Sequence, residues 1–98
     1  MSEVVNMIVL GGNDNVGVAL RDIAPGEPAL DARGLKVVAG EAVPQGHKMA
    51  LVAIAAGERI IRMDVAVGIA RAPIAAGSLA HVHNIKSQYL DNVEDHYE

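Results

Sequence analysis

The residues best suited to chemistry lie near the end of the chain, where residues 78–86 read "SLAHVHNIK". Alternate side chains of an extended strand share a face, so a strand here would project His81 and His83 together, with Val82 and Asn84 opposite. Two imidazoles with Cβ atoms about 7 Å apart can converge on one metal ion or one anion. Neighbouring histidines are also common as structural residues, and this motif alone leaves both interpretations open.

A second motif, "PQGHKMAL" at 44–51, places His47 and Lys48 directly after Gly46. The glycine gives the backbone freedom, and a turn that presents an imidazole and an ammonium group suits carboxylate binding and proton transfer. The alternative is an ordinary solvated turn.

Two further motifs carry polar side chains. In "RIIRMDVAVG" at 59–68, Asp64 follows Arg62 by two residues, which predicts a same-face ion pair if the segment is one strand. In "GGNDNVG" at 11–17, Asp14 and Asn15 are first of all turn residues. The GxxxxGK pattern of a phosphate-binding loop is absent, so a nucleotide site of that kind is excluded.

The elements that must position these residues are short apolar segments interrupted by glycine about every ten residues, a pattern typical of a compact, mostly β domain. "DIAPGEPA", "AIAAGERI" and "PIAAGSLA" share an Ile-Ala-x-Gly pattern, which predicts one turn type used three times, with Gly26, Gly57 and Gly77 at positive φ. The predicted strands cover residues 4–10, 16–23, 35–43, 48–55, 59–70 and 78–86.

Composition narrows the class of protein. The 98 residues are 51% hydrophobic but only 2% aromatic, so the core is built from aliphatic residues and methionine. There is no cysteine, which excludes disulfides and thiolate metal sites. The eight Lys and Arg residues form no basic stripe, which argues against nucleic-acid binding. We expect a cytoplasmic protein without signal peptide or membrane span.

Taken together, "DNVGVAL", "VPQGHKMALVAIAAGE", "IIR", "VGIA", "IAAGS" and "HVHN" resemble the SAF-type domain of the altronate and galactarate dehydratase family. Some members carry this domain as a separate small chain, as in (2R)-sulfolactate sulfo-lyase. The resemblance implies a β-clip fold of short strands. It also implies metal-assisted elimination of water or sulfite from a hydroxy acid, with iron or manganese as the expected divalent metal ion, and a large dehydratase or lyase subunit as partner.

The resemblance matches these residues to the family's motifs position by position, and the chemistry of β-elimination then suggests their roles. We expect catalytic roles for His47 and Lys48 and metal ligation by His81 and His83. The residues expected to bind substrate are Asp14, Asn15, Arg62 and Asn84. One departure stands out, because the family commonly has Tyr-Gly where this chain has Met63 and Asp64, and we expect this change to alter the substrate or reduce activity.

We therefore expect a SAF-like β-clip domain over 1–86 and an acidic tail over 87–98, which is either a short helix or frayed. The expected function is that of a small subunit or detached N-terminal domain of a hydroxy-acid dehydratase or lyase. The alternative is a non-catalytic module that binds or senses sugar acids. The residues do not identify the hydroxy acid or decide between water and sulfite as the leaving group. They also leave open whether the chain forms a homo-oligomer.

Overall fold

The computed structural model describes residues 4–81 and 84–86, which form short β-strands and contain no helix. The prediction of a mostly β fold is confirmed. None of the described residues belongs to a helix long and apolar enough to span a membrane. His83 and the predicted tail over 87–98 lie outside the described residues. The strands are β1 (Met7–Ile8), β2 (Val16–Ala19), β3 (Pro28–Leu30), β4 (Lys36–Val38), β5 (Lys48–Ala50), β6 (Arg59–Arg62), β7 (Val65–Ala70), β8 (Leu79–Ala80) and β9 (Ile85–Lys86).

A four-stranded antiparallel sheet in the order β1-β2-β5-β8 forms the middle of the molecule. Its alternate side chains enter two separate cores. Met7, Ala19 and Met49 pack in one core, while Val16 and Ala50 pack in the other. The two-stranded sheet β3-β4 contributes to the first core and the three-stranded sheet β6-β7-β9 to the second.

One turn type is used four times, and it explains why the strands are short. In each turn a glycine with φ between 83° and 88° follows a buried aliphatic residue by three positions. The glycine N–H donates a hydrogen bond of 2.7–2.8 Å to the carbonyl oxygen of a buried alanine. The three turns predicted from the sequence are confirmed, and the fourth is "VPQG" at 43–46. The four glycines are Gly26, Gly46, Gly57 and Gly77.

The prediction of one continuous strand over 59–70 is wrong, because the chain reverses between β6 and β7. Met63 and Asp64 form the two-residue connection, with φ of 56° and 62°. Positive φ at both central residues matches the twist of antiparallel strands. Arg62 therefore pairs with Val65, and the predicted same-face ion pair between Arg62 and Asp64 is also wrong. The carboxylate of Asp64 instead accepts a hydrogen bond of 2.8 Å from the backbone N–H of Asn13.

The prediction of one strand over 78–86 is wrong as well. β8 pairs with β5 in the central sheet, whereas β9 pairs with β7 in the three-stranded sheet. The chain turns between them, where the backbone N–H groups of Asn84 and Ile85 both donate to the carbonyl oxygen of His81 at 2.9 Å. Strand alternation therefore gives no reason for His81 and His83 to share a face.

Candidate functional site

His47 and His81 meet at the paired ends of two neighbouring strands, with His47 directly before β5 and His81 directly after β8. The register pairs Lys48 with Ala80 and Met49 with Leu79, and one step back along β5 brings His47 level with His81. The two ring centroids are 4.7 Å apart and the ring planes are tilted by 46°. Both side chains are half-buried. The sequence placed these histidines in two separate motifs, and the sheet register joins them.

The turn that carries His47 differs from two of its counterparts. Glu27 and Glu58 follow their glycines directly, and each carboxylate accepts a hydrogen bond from a backbone N–H of its own turn, at Ala24 and Ala55 respectively. His47 occupies the same position after Gly46 but has no such role. Its Nδ1 lies 3.3 Å from the carbonyl oxygen of Gln45. The imidazole thus stands where the fold elsewhere uses a glutamate to close the turn.

The amide of Asn84 fixes the backbone around His81. Its Oδ1 accepts a hydrogen bond of 2.9 Å from the His81 N–H, and its Nδ2 donates to the carbonyl oxygen of Leu79 at 2.8 Å. These bonds hold the chain at the point where it leaves β8. Asn84, expected to bind substrate, has its amide hydrogen-bonded to the backbone beside His81 in this structure.

Lys48 and Arg62 are called the cationic pair, because Lys48 pairs with Val18 across β2 and β5, and Val18 and Arg62 line one depression. Lys48 lies in β5 at the middle of the central sheet and is half-buried, and Arg62 is the last residue of β6, directly before the 63–64 turn. Burial lowers the pKa of Lys48 below its usual 10.5, and the positive charge of Arg62 lowers it further. An anion that binds between these two groups would relieve the repulsion, so the arrangement suits a carboxylate or sulfonate.

The carboxylate of Asp14 holds the turn that follows Arg62. It accepts hydrogen bonds from the backbone N–H groups of Gly11 at 3.1 Å, Met63 at 2.9 Å and Asp64 at 2.8 Å. Burial raises the pKa of Asp14, but backbone N–H donors at these positions and at Leu10 outweigh that effect and lower the pKa below its ordinary value. Gly11 has to be glycine here, because a Cβ atom at this position would lie 2.4 Å from Oδ1 of Asp14.

Asn15 attaches the same loop to β6. Its Nδ2 donates a hydrogen bond of 2.9 Å to the carbonyl oxygen of Arg59, and its Oδ1 accepts one of 2.7 Å from the N–H of Ile61. These are bonds that a neighbouring strand would otherwise provide. Asp14 and Asn15 therefore hold the strand and turn that carry Arg62. The "DNV" motif pointed to turn residues, and no feature of the sequence indicated their partners some 45–50 residues away.

An apolar rim adjoins the cationic pair. Ile8, Leu10, Val18 and Met63 line a shallow depression with Asp14 and Arg62. Three of these apolar side chains, Ile8, Leu10 and Met63, are exposed. Met63 stands where the expected tyrosine would be, so the residue that departs from the family pattern lies beside Arg62.

The metal-ligand set predicted from the sequence, His81 and His83, has one member outside the described residues. Among residues 4–81 and 84–86, no three His, Asp or Glu side chains lie close enough together to hold a metal ion. The described part does bring two imidazoles together at His47 and His81. Neutral imidazole is a common ligand of divalent transition metals, so this pair fits as a part of a metal site.

Comparison with known proteins places this chain in a family. The family described as "Altronate/galactarate dehydratase SAF domain" matches residues 5–88. The chain belongs to this family. Its described polar residues from the "DNV", "GHK" and "HxHN" motifs all lie within the matched range.

Three relatives show how the domain is used. The chain is 42% identical over 79 residues to altronate dehydratase of Escherichia coli (strain K12), a match that covers 80% of this chain and 16% of that protein. It is 36% identical over 86 residues to altronate dehydratase of Bacillus subtilis (strain 168), covering 88% of this chain and 17% of that protein. It is 29% identical over 90 residues to (2R)-sulfolactate sulfo-lyase subunit alpha of Chromohalobacter salexigens, covering 86% of this chain and 96% of that subunit.

The SAF domain therefore occurs in proteins of very different length. This chain spans about a sixth of the two altronate dehydratases and almost the whole of the sulfo-lyase subunit. The relatives are dehydratases and a lyase subunit, so the family is one of lyases.

Proposed function

We propose that this chain works as the SAF-domain subunit or domain of a hydroxy-acid dehydratase or lyase, together with a larger catalytic region. The observation that carries the proposal is the placement of two pairs of groups in one domain of this family: the imidazoles of His47 and His81, and the cations Lys48 and Arg62. The lengths of the relatives support a larger partner region, since the altronate dehydratases extend far beyond the matched domain.

Elimination of water or sulfite from a hydroxy acid removes a proton from the carbon next to the carboxylate and expels the group on the following carbon. The substrate carboxylate needs a cationic site, and we assign it to Lys48 and Arg62. The half-buried position of Lys48 strengthens such an interaction, because burial reduces screening by water.

The imidazole pair can move a proton or hold a divalent metal ion. A bound metal ion would assist departure of the leaving group and stabilise the enolate-like charge. Asp14 and Asn15 contribute by fixing β6 and the 63–64 turn, and Asn84 by fixing the backbone at His81. Neither role requires contact with substrate.

The test has two stages. The chain, carrying an affinity tag, is purified from the cell that encodes it, and co-purifying proteins are identified by mass spectrometry. A large dehydratase- or lyase-like chain is the expected partner. The purified assembly is then given altronate, galactarate or sulfolactate with iron or manganese, and release of the 2-oxo product or sulfite is measured.

One variant with a matched control connects any activity to the site. We expect Arg62→Gln to raise KM by about tenfold or more, because the substrate carboxylate loses one charge-assisted hydrogen bond. Arg59→Gln, on the exposed end of the same strand, is the control and should change KM little. Absence of a large partner, or of any elimination by the assembly, contradicts the proposal and favours a non-catalytic binding or sensing module.

A further inference from the structure

The two histidines that meet on the central sheet are His47 and His81, which differ from the pair suggested by sequence spacing. Each adjoins a different strand, since His47 directly precedes β5 and His81 directly follows β8, next to the Lys48–Ala80 pair of the register. Their rings are close and tilted, at 4.7 Å and 46°, so the two imidazoles approach without stacking face to face. What such a pair can bind follows from its dimensions.

The separation of the rings matches that of two imidazoles on one metal ion. A ligating ring nitrogen lies about 2.1 Å from the metal, and the ring centroid lies about 1.1 Å behind it, so each centroid is about 3.2 Å from the metal. Two such rings are then about 4.5 Å apart at an octahedral angle and about 5.2 Å apart at a tetrahedral one. The observed 4.7 Å lies between these values.

The surroundings of His47 favour ligation through one particular nitrogen. Its Nδ1 lies 3.3 Å from the carbonyl oxygen of Gln45, and a carbonyl oxygen can only accept a hydrogen bond. A hydrogen bond between these two atoms requires the proton on Nδ1, which leaves a lone pair on Nε2 when the ring is neutral. A backbone carbonyl bonded to the second ring nitrogen is the usual support of a metal-ligating histidine.

The backbone on both sides of the pair is fixed before any ligand arrives. The His47 N–H donates to the carbonyl oxygen of Pro44 at 3.0 Å, and its carbonyl oxygen accepts from the Ala19 N–H at 2.9 Å. The His81 N–H is held by Asn84 at 2.9 Å. A preorganised pair loses less conformational entropy when it binds an ion.

We propose that His47 and His81 together form a two-imidazole half-site for a first-row divalent metal ion, with the remaining coordination positions open to oxygen ligands. The metal class follows from the ligands, because imidazole suits iron, cobalt, nickel, copper and zinc. The oxygen ligands would come from a hydroxy-acid substrate and from the larger catalytic region. That assignment rests on the proposed function, whereas metal binding by the two histidines does not.

The experiment uses the full chain without a polyhistidine tag, titrated with Ni²⁺ and separately with Mn²⁺ by calorimetry at neutral pH. We expect one ion per chain. His47→Ala and His81→Ala should each weaken binding about tenfold or more, since changes even in residues that support ligands cost that much. Glu58→Gln, at the position after Gly57 that corresponds to His47 after Gly46, is the matched control, and it should change the affinity by less than about threefold.

A second measurement needs no variant and so does not depend on whether the variants fold. Substoichiometric Ni²⁺, which is paramagnetic, is added to the wild-type chain, and the imidazole signals are followed by nuclear magnetic resonance. His47 and His81 should broaden first and to similar extents. The proposal is overturned if the wild-type chain binds neither ion, if His83 rather than His47 broadens with His81, or if His47→Ala leaves the affinity unchanged.

Failure of this proposal and failure of the proposed function give different results. If the chain binds metal through His47 and His81 but has no large partner, the half-site is supported and the lyase function is contradicted. If the assembly is active but the chain binds no metal, the lyase function is supported and the half-site is contradicted.

Discussion

Removal of the Asp14 carboxylate tests how strongly its hydrogen bonds stabilise the 63–64 turn. Asp14→Ala deletes the acceptor of three backbone hydrogen bonds, from Gly11, Met63 and Asp64. Each contributes about 1 kcal/mol net, because Asp14 is only half-buried and water replaces part of each bond. We expect the free energy of unfolding to fall by about 2–3 kcal/mol, which lowers Tm by about 8–24 °C for a domain of this size.

Asp14→Asn is the milder change, because one amide oxygen remains as an acceptor while the charge is lost. We expect a loss of about 1–2 kcal/mol at neutral pH. The backbone donors keep the pKa of Asp14 in the folded chain below its ordinary 3.8. The contribution of the ionised group is therefore complete above that value and is lost as the pH falls through the folded-state pKa.

The difference between wild type and Asp14→Asn should accordingly shrink on acidification below about pH 4. The pKa of Glu27 is also lowered, chiefly by the backbone N–H of Ala24, so wild-type stability alone does not isolate Asp14. The difference in the free energy of unfolding between wild type and Asp14→Asn does isolate Asp14, since both proteins retain Glu27.

Urea denaturation followed by far-ultraviolet circular dichroism, at pH 7 and at steps down to pH 3, provides the data. Asp22→Ala is the matched control, because that carboxylate accepts one backbone bond, from Gln45 at 2.9 Å, and should cost about 0.5–1.5 kcal/mol. The reasoning is refuted if Asp14→Ala costs no more than Asp22→Ala, or if the Asp14→Asn difference stays constant with pH.

Two further substitutions probe the turns and the cationic pair. Gly77→Ala should lower the free energy of unfolding by about 4 kcal/mol or more, because its Cβ atom would lie 2.2 Å from the carbonyl oxygen of Val38. Gly57 has a similar φ but open space around it, so Gly57→Ala should lower the free energy of unfolding by only about 1–2 kcal/mol. Urea titration measures both. Equal costs would contradict the packing argument. Arg62→Gln should raise the pKa of Lys48 toward 10.5, as followed by magnetic resonance of the Lys48 side chain; no change would show that the two cations do not interact.

The periodic use of glycine made the fold class predictable from the sequence. Gly26, Gly57 and Gly77 follow Ile-Ala-x, and only a residue without Cβ adopts positive φ at low cost. A turn was also predicted at "PQGH", but not as the same type, because "VPQG" shares the spacing and the glycine and lacks the Ile-Ala residues. Its backbone bond, from Gly46 to Ala19, is the same as in the other three.

The site was only partly predictable, since register decides which residues meet. Spacing alone favoured His81 with His83, because both were placed on one strand. The structure ends β8 at Ala80, and the pairing of β5 with β8 brings His47 to His81 instead. A partner in another strand is invisible to short-range periodicity.

The 63–64 reversal was missed for a different reason. Two-residue hairpins usually contain asparagine or glycine, and here Met63 and Asp64 occupy those positions. Methionine is poorly suited to positive φ, and it persists here because Asp14, in a distant loop, accepts hydrogen bonds from the backbone of Met63 and Asp64.

Activity of the assembled enzyme with Lys48→Met tests the central claim most directly. Burial disfavours the charged form of Lys48, so its replacement by an apolar side chain should leave the free energy of unfolding unchanged or raised at pH 7. Lys36→Met, on the exposed strand β4, is the control. We predict that Lys48→Met lowers kcat/KM for elimination by about a hundredfold or more, with the partner still bound, while Lys36→Met does not. Full activity of a folded, assembled Lys48→Met enzyme would contradict the assignment of this chain to the reaction.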